Sequence, residues 1–575
     1  MLKKSLLILL VALLALSAFV AGCGPIDPGD DEEGPIVFRY GQSDSWADSM
    51  NPYAYGMAMS DTLFFTQTHE YLLQPDQDLK LEGRLAEDWD VSEDGRTWTF
   101  YLRKGVKWHD GTPFTAKDVY NSYAININFQ MPRTWQKVKA FAKEDGTPNI
   151  EIIDDYTIKF TTQEPKADIL DAMILITPEH IFGNFKSQEE LLAFTNEENF
   201  IGTGPFKLDS WAKDEYSKFV ANDEYWGGRP VIDEYIVVMY ANRDTMLQAL
   251  QMGEIDLCNL SAAQVEYAKT LDNIKLNFFE ATSFTQIGFN CWADVYTVNE
   301  AGEIVYKPNG KQTTPHPDNA VNNPLILDYR IRVAMDYAVD YDRIIEYAEG
   351  GLGRRETSII TSVTNHWAWV PPADKYRNYD PEKAKALLEE AGYIDRDGDG
   401  IREDAKGNKL DFKFTVIESS YRDHALIIQE NLKAVGINTN IEFVDSAGQS
   451  ATIYKQDFAT DMFVWGWSPS YADPSTMLAA MLTSQIHGKS DCYWSNQEYD
   501  ELWVLQGTQI DLDERIATVH RMQELIYEEA PYLVILGKTR VQAYRDDKWQ
   551  GWEKFPAEIG GIMNYWTLLK LSPKK

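Results

Sequence analysis

The chain has 575 residues, 44% hydrophobic and 25% charged, which is ample for two or three domains and excludes both a membrane bundle and a wholly disordered chain. A formal net charge of −35 and a pI near 4.6 argue against a nucleic-acid partner, because phosphate contacts need clustered Lys and Arg. Acidity of this kind serves solubility and names no partner.

Lys3 and Lys4 precede an apolar run from Ser5 to Val20, too short and too near the end for a comfortable spanning helix. The run closes on Val20-Ala21-Gly22-Cys23, and small residues before a cysteine resemble the lipobox of a bacterial lipoprotein signal. The resemblance implies that residues 1–22 are a signal peptide, cleaved before Cys23, and that the Cys23 sulfur carries a diacylglyceryl group. The alternative is an ordinary secretory signal with a chance cysteine. Residues 23–35 are rich in Pro, Gly and acids, cannot bury apolar surface, and read as a solvated tether. The mature protein is therefore expected at the extracytoplasmic face of the cell membrane, held by its lipid.

Strand-like alternation and helical periodicity interleave beyond the tether, so the fold class is α/β or α+β. The stretch LAEDWDVSEDGRTWTFYLRKGVKWHDGTPFTAKDVYNS, residues 85–122, reads as a hairpin turning at Glu93-Asp94-Gly95, with Trp98, Phe100 and Leu102 on one face. A second turn at His109-Asp110-Gly111 leads into a helix started by Thr115-Ala116-Lys117-Asp118. Ile158 and Phe160 of YTIKFTTQ point inward from a half-buried strand. DEYIVVMYA is a continuous apolar strand; the helix after it is capped by Asp244, presents Leu247, Leu250 and Met252, and stops at Gly253. In DPEKAKALLEEAGY, Asp380 is the N-cap, Pro381 the first helical residue and Gly392 lies past the end, while Ala384, Leu387, Leu388 and Ala391 share a face.

DRDGDGIRED, residues 395–404, follows that helix. Asp395, Asp397 and Asp399 at spacing two, with Gly400 for the tight turn, match the first half of an EF-hand-like calcium loop. The carbonyl of Ile401 and the carboxylate of Glu403 or Asp404 complete the shell. Lys406 stands where an EF-hand carries its bidentate Glu, and the alternative is an exposed acidic turn. A structural Ca2+ is expected, and no catalytic cofactor.

Cys258, Cys291 and Cys492 are odd in number and widely spaced, so buried unpaired thiols are expected in place of a zinc site or a redox pair. His109-Asp110 invites an acid–base reading but lies in a structural turn. The HGKS at 487–490 lacks the first glycine of a phosphate loop, with Thr483 in its place. The chain is not expected to be an enzyme. In FVWGWSPSYADPS, residues 463–475, Trp465 and Trp467 lie on one side of a strand, as core or as one wall of a cleft.

The 85–122 stretch resembles, almost residue for residue, the signature of the family 5 extracellular solute-binding proteins, the dipeptide-, oligopeptide-, nickel- and oligosaccharide-binding components of ABC importers. GTGPFKL at 202–208, MLQALQMGEIDL, IGFNCW, DYRIRVAMDYAVDYDRII and AKALLEEAGY follow in the family's order. The resemblance implies a two-lobed periplasmic-binding-protein-like fold with an extra subdomain and a ligand cleft between the lobes. Lobe I would take residues 36–71, 173–287 and 539–575, the extra subdomain 72–172, and lobe II 288–538. It implies a small solute and permease subunits as partners, a membrane contact through the lipid anchor, no nucleic acid, and a monomer. In peptide-binding relatives an Asp three residues before the acid of the Asp-Pro pair grips the ligand's α-amino group; here that position is Ser470. A buried ammonium with no carboxylate loses several kcal/mol. Trp465, Trp467 and Tyr471, beside Ser470 and Asp473, suit a neutral stackable ligand, so an oligosaccharide is expected ahead of a peptide.

Overall fold

In a computed structural model of the chain, residues 34–43, 50–54, 65–131, 134–197, 200–308, 310, 312–319, 323–455, 459–470 and 473–574 are described. The signal stretch 1–22, Cys23, most of the tether and Tyr471 lie outside the described residues.

Two strands are far longer than the rest: Lys275–Phe289, 15 residues, and Tyr532–Tyr544, 13 residues, paired antiparallel. Their opposite ends feed different cores. Phe284, Ile287, Phe289, Leu533 and Leu536 join a cluster with Met335, Leu388 and Met522. Val541 and Ala543 join another with Met246, Leu250 and Cys258. Each buried large apolar side chain is worth about 1.5–3 kcal/mol, so both ends have their own reason to fold. These are the two lobes, and the long strands cross between them.

One eleven-stranded sheet runs through both lobes. In lobe I, Tyr532–Tyr544 is followed outward by Leu257–Leu260, Val37–Gln42, Glu234–Met239, Tyr216–Ala221 and Phe206–Ala212. In lobe II, Lys275–Phe289 is followed by Met462–Trp467, Asp411–Ile417 and Asn438–Val444. Val37–Gln42 pairs in parallel with Glu234–Met239, and Asp411–Ile417 in parallel with Asn438–Val444, which demands crossover segments. The helix Glu418–Ala434 is one such crossover.

The expected strand DEYIVVMYA is not buried on both faces: in Glu234–Met239 only Tyr235 and Val237 are fully buried, as alternation requires when one face is partly open. The helix after it, Arg243–Met252, is capped by Asn242 and not by Asp244. The Asn242 side-chain Oδ1 accepts from the backbone N–H of Asp244 at 3.1 Å and of Thr245 at 3.0 Å. Met252 is exposed, and the buried side is Met246, Leu247, Ala249 and Leu250. Gly253 ends this helix at φ +77. The helix Pro381–Glu390 begins at Asp380, whose carboxylate accepts from Lys383 N at 2.9 Å.

A separate four-stranded antiparallel sheet, in the order Ala86–Val91, Thr97–Leu102, Thr157–Thr161, Ile150–Asp154, falls within the stretch 72–172. Trp98, Phe100, Leu102, Ile158 and Phe160 form its core with Tyr123 of the helix Ala116–Asn128. Thr115 and Asp118 cap that helix reciprocally. Cys258, Cys291 and Cys492 are buried and unpaired. Among the described residues no helix is long and apolar enough to cross a membrane.

Candidate ligand-binding cleft

The GTGPF stretch explains how one wall of the cleft is placed. A Cβ on Gly202 would fall 1.7 Å from the carbonyl oxygen of Thr68, and one on Gly204 2.6 Å from that of Gln67. Only glycine lets this loop lie against residues 67–69, where Gly204 N donates to Thr68 O at 2.9 Å and Phe206 N to Gln67 O at 3.1 Å. His109 clamps the same loop. Its Nδ1 accepts from Gly202 N at 3.2 Å, and Nε2 stands 3.0 Å from the carbonyl of Gly204. A ring that accepts at one nitrogen and donates at the other is neutral, and desolvation lowers its pKa to about 4. His109 therefore holds backbone and has no acid–base task.

A cavity of about 470 Å³ opens between the lobes, with Ser470 from lobe II facing Gln67, His69, Arg84, Tyr565 and Trp566 from the other side. Gln67 Oε1 and His69 Nε2 are buried without a hydrogen-bond partner. Burial pushes the His69 imidazole down to about 3, so it too is neutral. Glu70 is the one carboxylate among the described lining residues, and its oxygens are engaged. It accepts from Arg84 Nη2 at 2.5 Å, Tyr225 OH at 2.9 Å and Trp226 Nε1 at 2.9 Å. The Arg84 guanidinium lies over the Tyr565 ring at 4.1 Å. A larger cavity, about 1170 Å³, is lined only by residues between 295 and 529 of lobe II and lacks a second wall, so it is not the cleft.

Of the described residues expected at the ligand, Ser470 alone lines this cavity. Trp465 and Trp467 sit on Met462–Trp467, opposite Gln286 and Phe284 of the crossing strand, and neither lines it. Trp465 packs edge-on to Phe463 and Tyr454. Trp467 donates its indole N–H to Asp491 Oδ2 at 3.1 Å, and Tyr532 OH donates to the other oxygen. Burial lifts the Asp491 carboxyl to about 7, against the pull of the Trp467 donor. Asp473 is committed too. Both of its oxygens receive Arg515, at 2.8 and 3.1 Å, and both side chains are buried, which removes it as a free anchor for an amine. Thr282 Oγ1 donates to Pro469 O at 2.6 Å, fixing the chain where it leaves the strand for Ser470. Among the described residues the carbocyclic rings and indole on the cavity are Tyr71, Phe555, Tyr565 and Trp566, which pattern reading did not find. In the calcium-like loop, Asp395, Asp397 and Glu403 converge, Asp399 meets Lys409, and Asp404 turns away to Asn408.

A profile of the Bacterial extracellular solute-binding proteins, family 5 Middle, matches residues 80–489. The chain belongs to this family. It is 26% identical over 473 residues to the oligopeptide-binding protein AppA of Bacillus subtilis, covering 81% of this chain and 79% of that protein. It is 27% identical over 487 residues to the dipeptide-binding protein of Escherichia coli, covering 80% and 82%. Among solved structures, AppA of Bacillus subtilis in complex with a nonapeptide superposes with a TM-score of 0.69 at 23% identity, covering 94% of this chain and all (100%) of that one. NikA from Brucella suis in complex with Fe(III)-EDTA superposes at 0.73 and 22%, with coverage of 94% and 100%. The two-lobed fold is that of the family, and solute binding outside the cytoplasm is the family's work.

Proposed function

We propose that this chain is the receptor of an ABC importer, anchored through a lipid on Cys23, and that its cargo is a short peptide gripped by its main chain. The observation that carries this reading is the interlobe cavity with Gln67 Oε1 and His69 Nε2 buried and unpartnered on it. Peptide amides supply a donor and an acceptor at every residue, and a buried polar atom without a partner costs about 1–3 kcal/mol until one arrives. The likeness to oligopeptide- and dipeptide-binding proteins over four-fifths of both chains supports the same class. Ser470 lacks a charge and Asp473 and Glu70 are already paired, so the peptide's terminal amine is not what the described residues grip.

Calorimetry with short peptides, free and N-acetylated, tests this reading. Micromolar binding that changes less than tenfold on acetylation, under about 1.4 kcal/mol, is expected. Loss of binding on acetylation would mean that a carboxylate holds the amine. A neutral oligosaccharide is the second reading, supported by the rings of Tyr565, Trp566 and Phe555 on the cavity. Binding of cello-, manno- or xylo-oligosaccharides without peptide binding would select it.

A further inference from the structure

We propose that Asp395, Asp397 and Glu403 form a Ca2+ site at the loop after the helix Pro381–Glu390, with Lys409 acting as the internal counter-ion that the metal displaces. Carboxylate oxygens of these three residues lie within 4.8 Å of one another. Oxygens that share a Ca2+ at about 2.4 Å stand at most about twice that apart, so the three reach one ion without rearranging the loop.

Acidic turns are common and prove nothing alone. The independent observation is Glu403. Its side chain belongs to a residue only 3% exposed, and Oε2 is buried with no hydrogen-bond partner. The other oxygen, Oε1, accepts from Arg396 N at 2.8 Å, which fixes the carboxylate toward the loop. A buried carboxylate oxygen left bare is costly, and a cation ligated by exposed carboxylates removes that cost. Pattern reading puts the decisive Glu at the twelfth position of such a loop, where this chain has Lys406. The buried acid instead arrives from the ninth position, bridged into place by backbone pairing of Glu403 with Ile394 and with Lys409.

The loop is shaped before any ion arrives. Asp395 accepts from Gly398 N at 2.7 Å and Gly400 N at 3.0 Å, and Asp399 from Ile401 N at 2.9 Å. Gly398 and Gly400 hold φ of +76 and +89, which side chains other than glycine adopt only under strain. Lys409 Nζ binds Asp397 at 2.8 Å and also Asp399, so the ammonium neutralises one acid of the converging three together with its neighbour Asp399. Displacing it frees Asp399 to add a further oxygen to the shell. Asp404 takes no part, since its oxygens receive Lys406 N, Asn408 N and Asn408 Nδ2 between 2.8 and 2.9 Å. All-oxygen donors from carboxylates suit Ca2+, whose coordination number and geometry are tolerant, better than Mg2+, which demands a tighter octahedron.

Titration of the metal-stripped full chain with CaCl2 by calorimetry, alongside melting with Ca2+ or a chelator, tests the site. One Ca2+ per chain is expected, with a melting temperature that rises with free Ca2+ as binding to the native state alone requires. Glu403→Gln keeps the shape of the side chain and should abolish binding. Lys409→Met should bind Ca2+ at least tenfold more tightly than the wild type. Absence of binding in both the wild type and Lys409→Met at millimolar Ca2+ would overturn the proposal. So would unchanged binding in Glu403→Gln, and an equal response to MgCl2 would overturn the choice of ion.

Discussion

Asp473 and Arg515 show how a residue near the ligand segment can be spent on the fold. Both are buried, and the carboxylate also accepts from Ser475 N at 2.8 Å. Removing one partner strands the other in a dry site, so Arg515→Met should cost about 3–5 kcal/mol in urea unfolding. A loss under 1 kcal/mol would show that water reaches the pair. His109 yields a pH prediction. Its folded pKa, about 4, lies below the unfolded value of about 6.5, so the unfolded chain binds the proton that the native ring refuses. Stability should therefore be lost as pH falls from about 6.5 to about 4, at up to ~1.4 kcal/mol per pH unit from this residue. The ring should stay neutral by NMR at pH 5, and a charged ring there would contradict the clamp. Cys23 carries the anchoring proposal: Cys23→Ala should leave an unprocessed or released protein with ligand binding intact, and wild type cleaved elsewhere and free in the medium would refute the lipid.

At the scale of elements, local chemistry was readable and distant assembly was not. Asp380, Pro381 and Gly392 specify the helix Pro381–Glu390 through nearest-neighbour hydrogen bonding and φ preferences, so the sequence is enough. The hairpin with Trp98, Phe100 and Leu102 inward is legible for the same reason, because alternation fixes faces. The cap at Asn242 was missed by two residues, since Asn and Asp both compete for that role and only the end of the preceding strand decides. The cleft was hardly legible at all. Gln67, His69, Ser470, Tyr565 and Trp566 come from far-separated segments, and no spacing rule links them. A strand end with two indoles fits either core or ligand wall; in the structure Trp465 packs against Tyr454 and Trp467 donates to Asp491, and neither lines this cavity. GTGPF is the exception: its glycines mark a close backbone approach. Gly202→Ala should shift the 67–70 wall, costing about 1–3 kcal/mol of stability and weakening ligand binding together. A variant with unchanged affinity and melting would show that the loop has room.

The crossing strands join two cores on one sheet, and the four-stranded sheet carries a further core of its own. The pairing of the crossing strands is interrupted between Glu280 and Phe284, and Arg354 gathers there, donating to Glu280, to Glu356 at 2.6 Å and to the carbonyl of Ala281 at 3.2 Å. An irregular segment between two lobes is where backbone dihedrals change most cheaply, and a solute touching both lobes binds the closed arrangement better than the open one. Small-angle X-ray scattering of the mature chain, alone and with a saturating peptide that calorimetry finds to bind, tests capture between the lobes most directly. A smaller radius of gyration with the peptide is predicted; a radius unchanged at saturation would contradict closure and place the ligand on one lobe's surface.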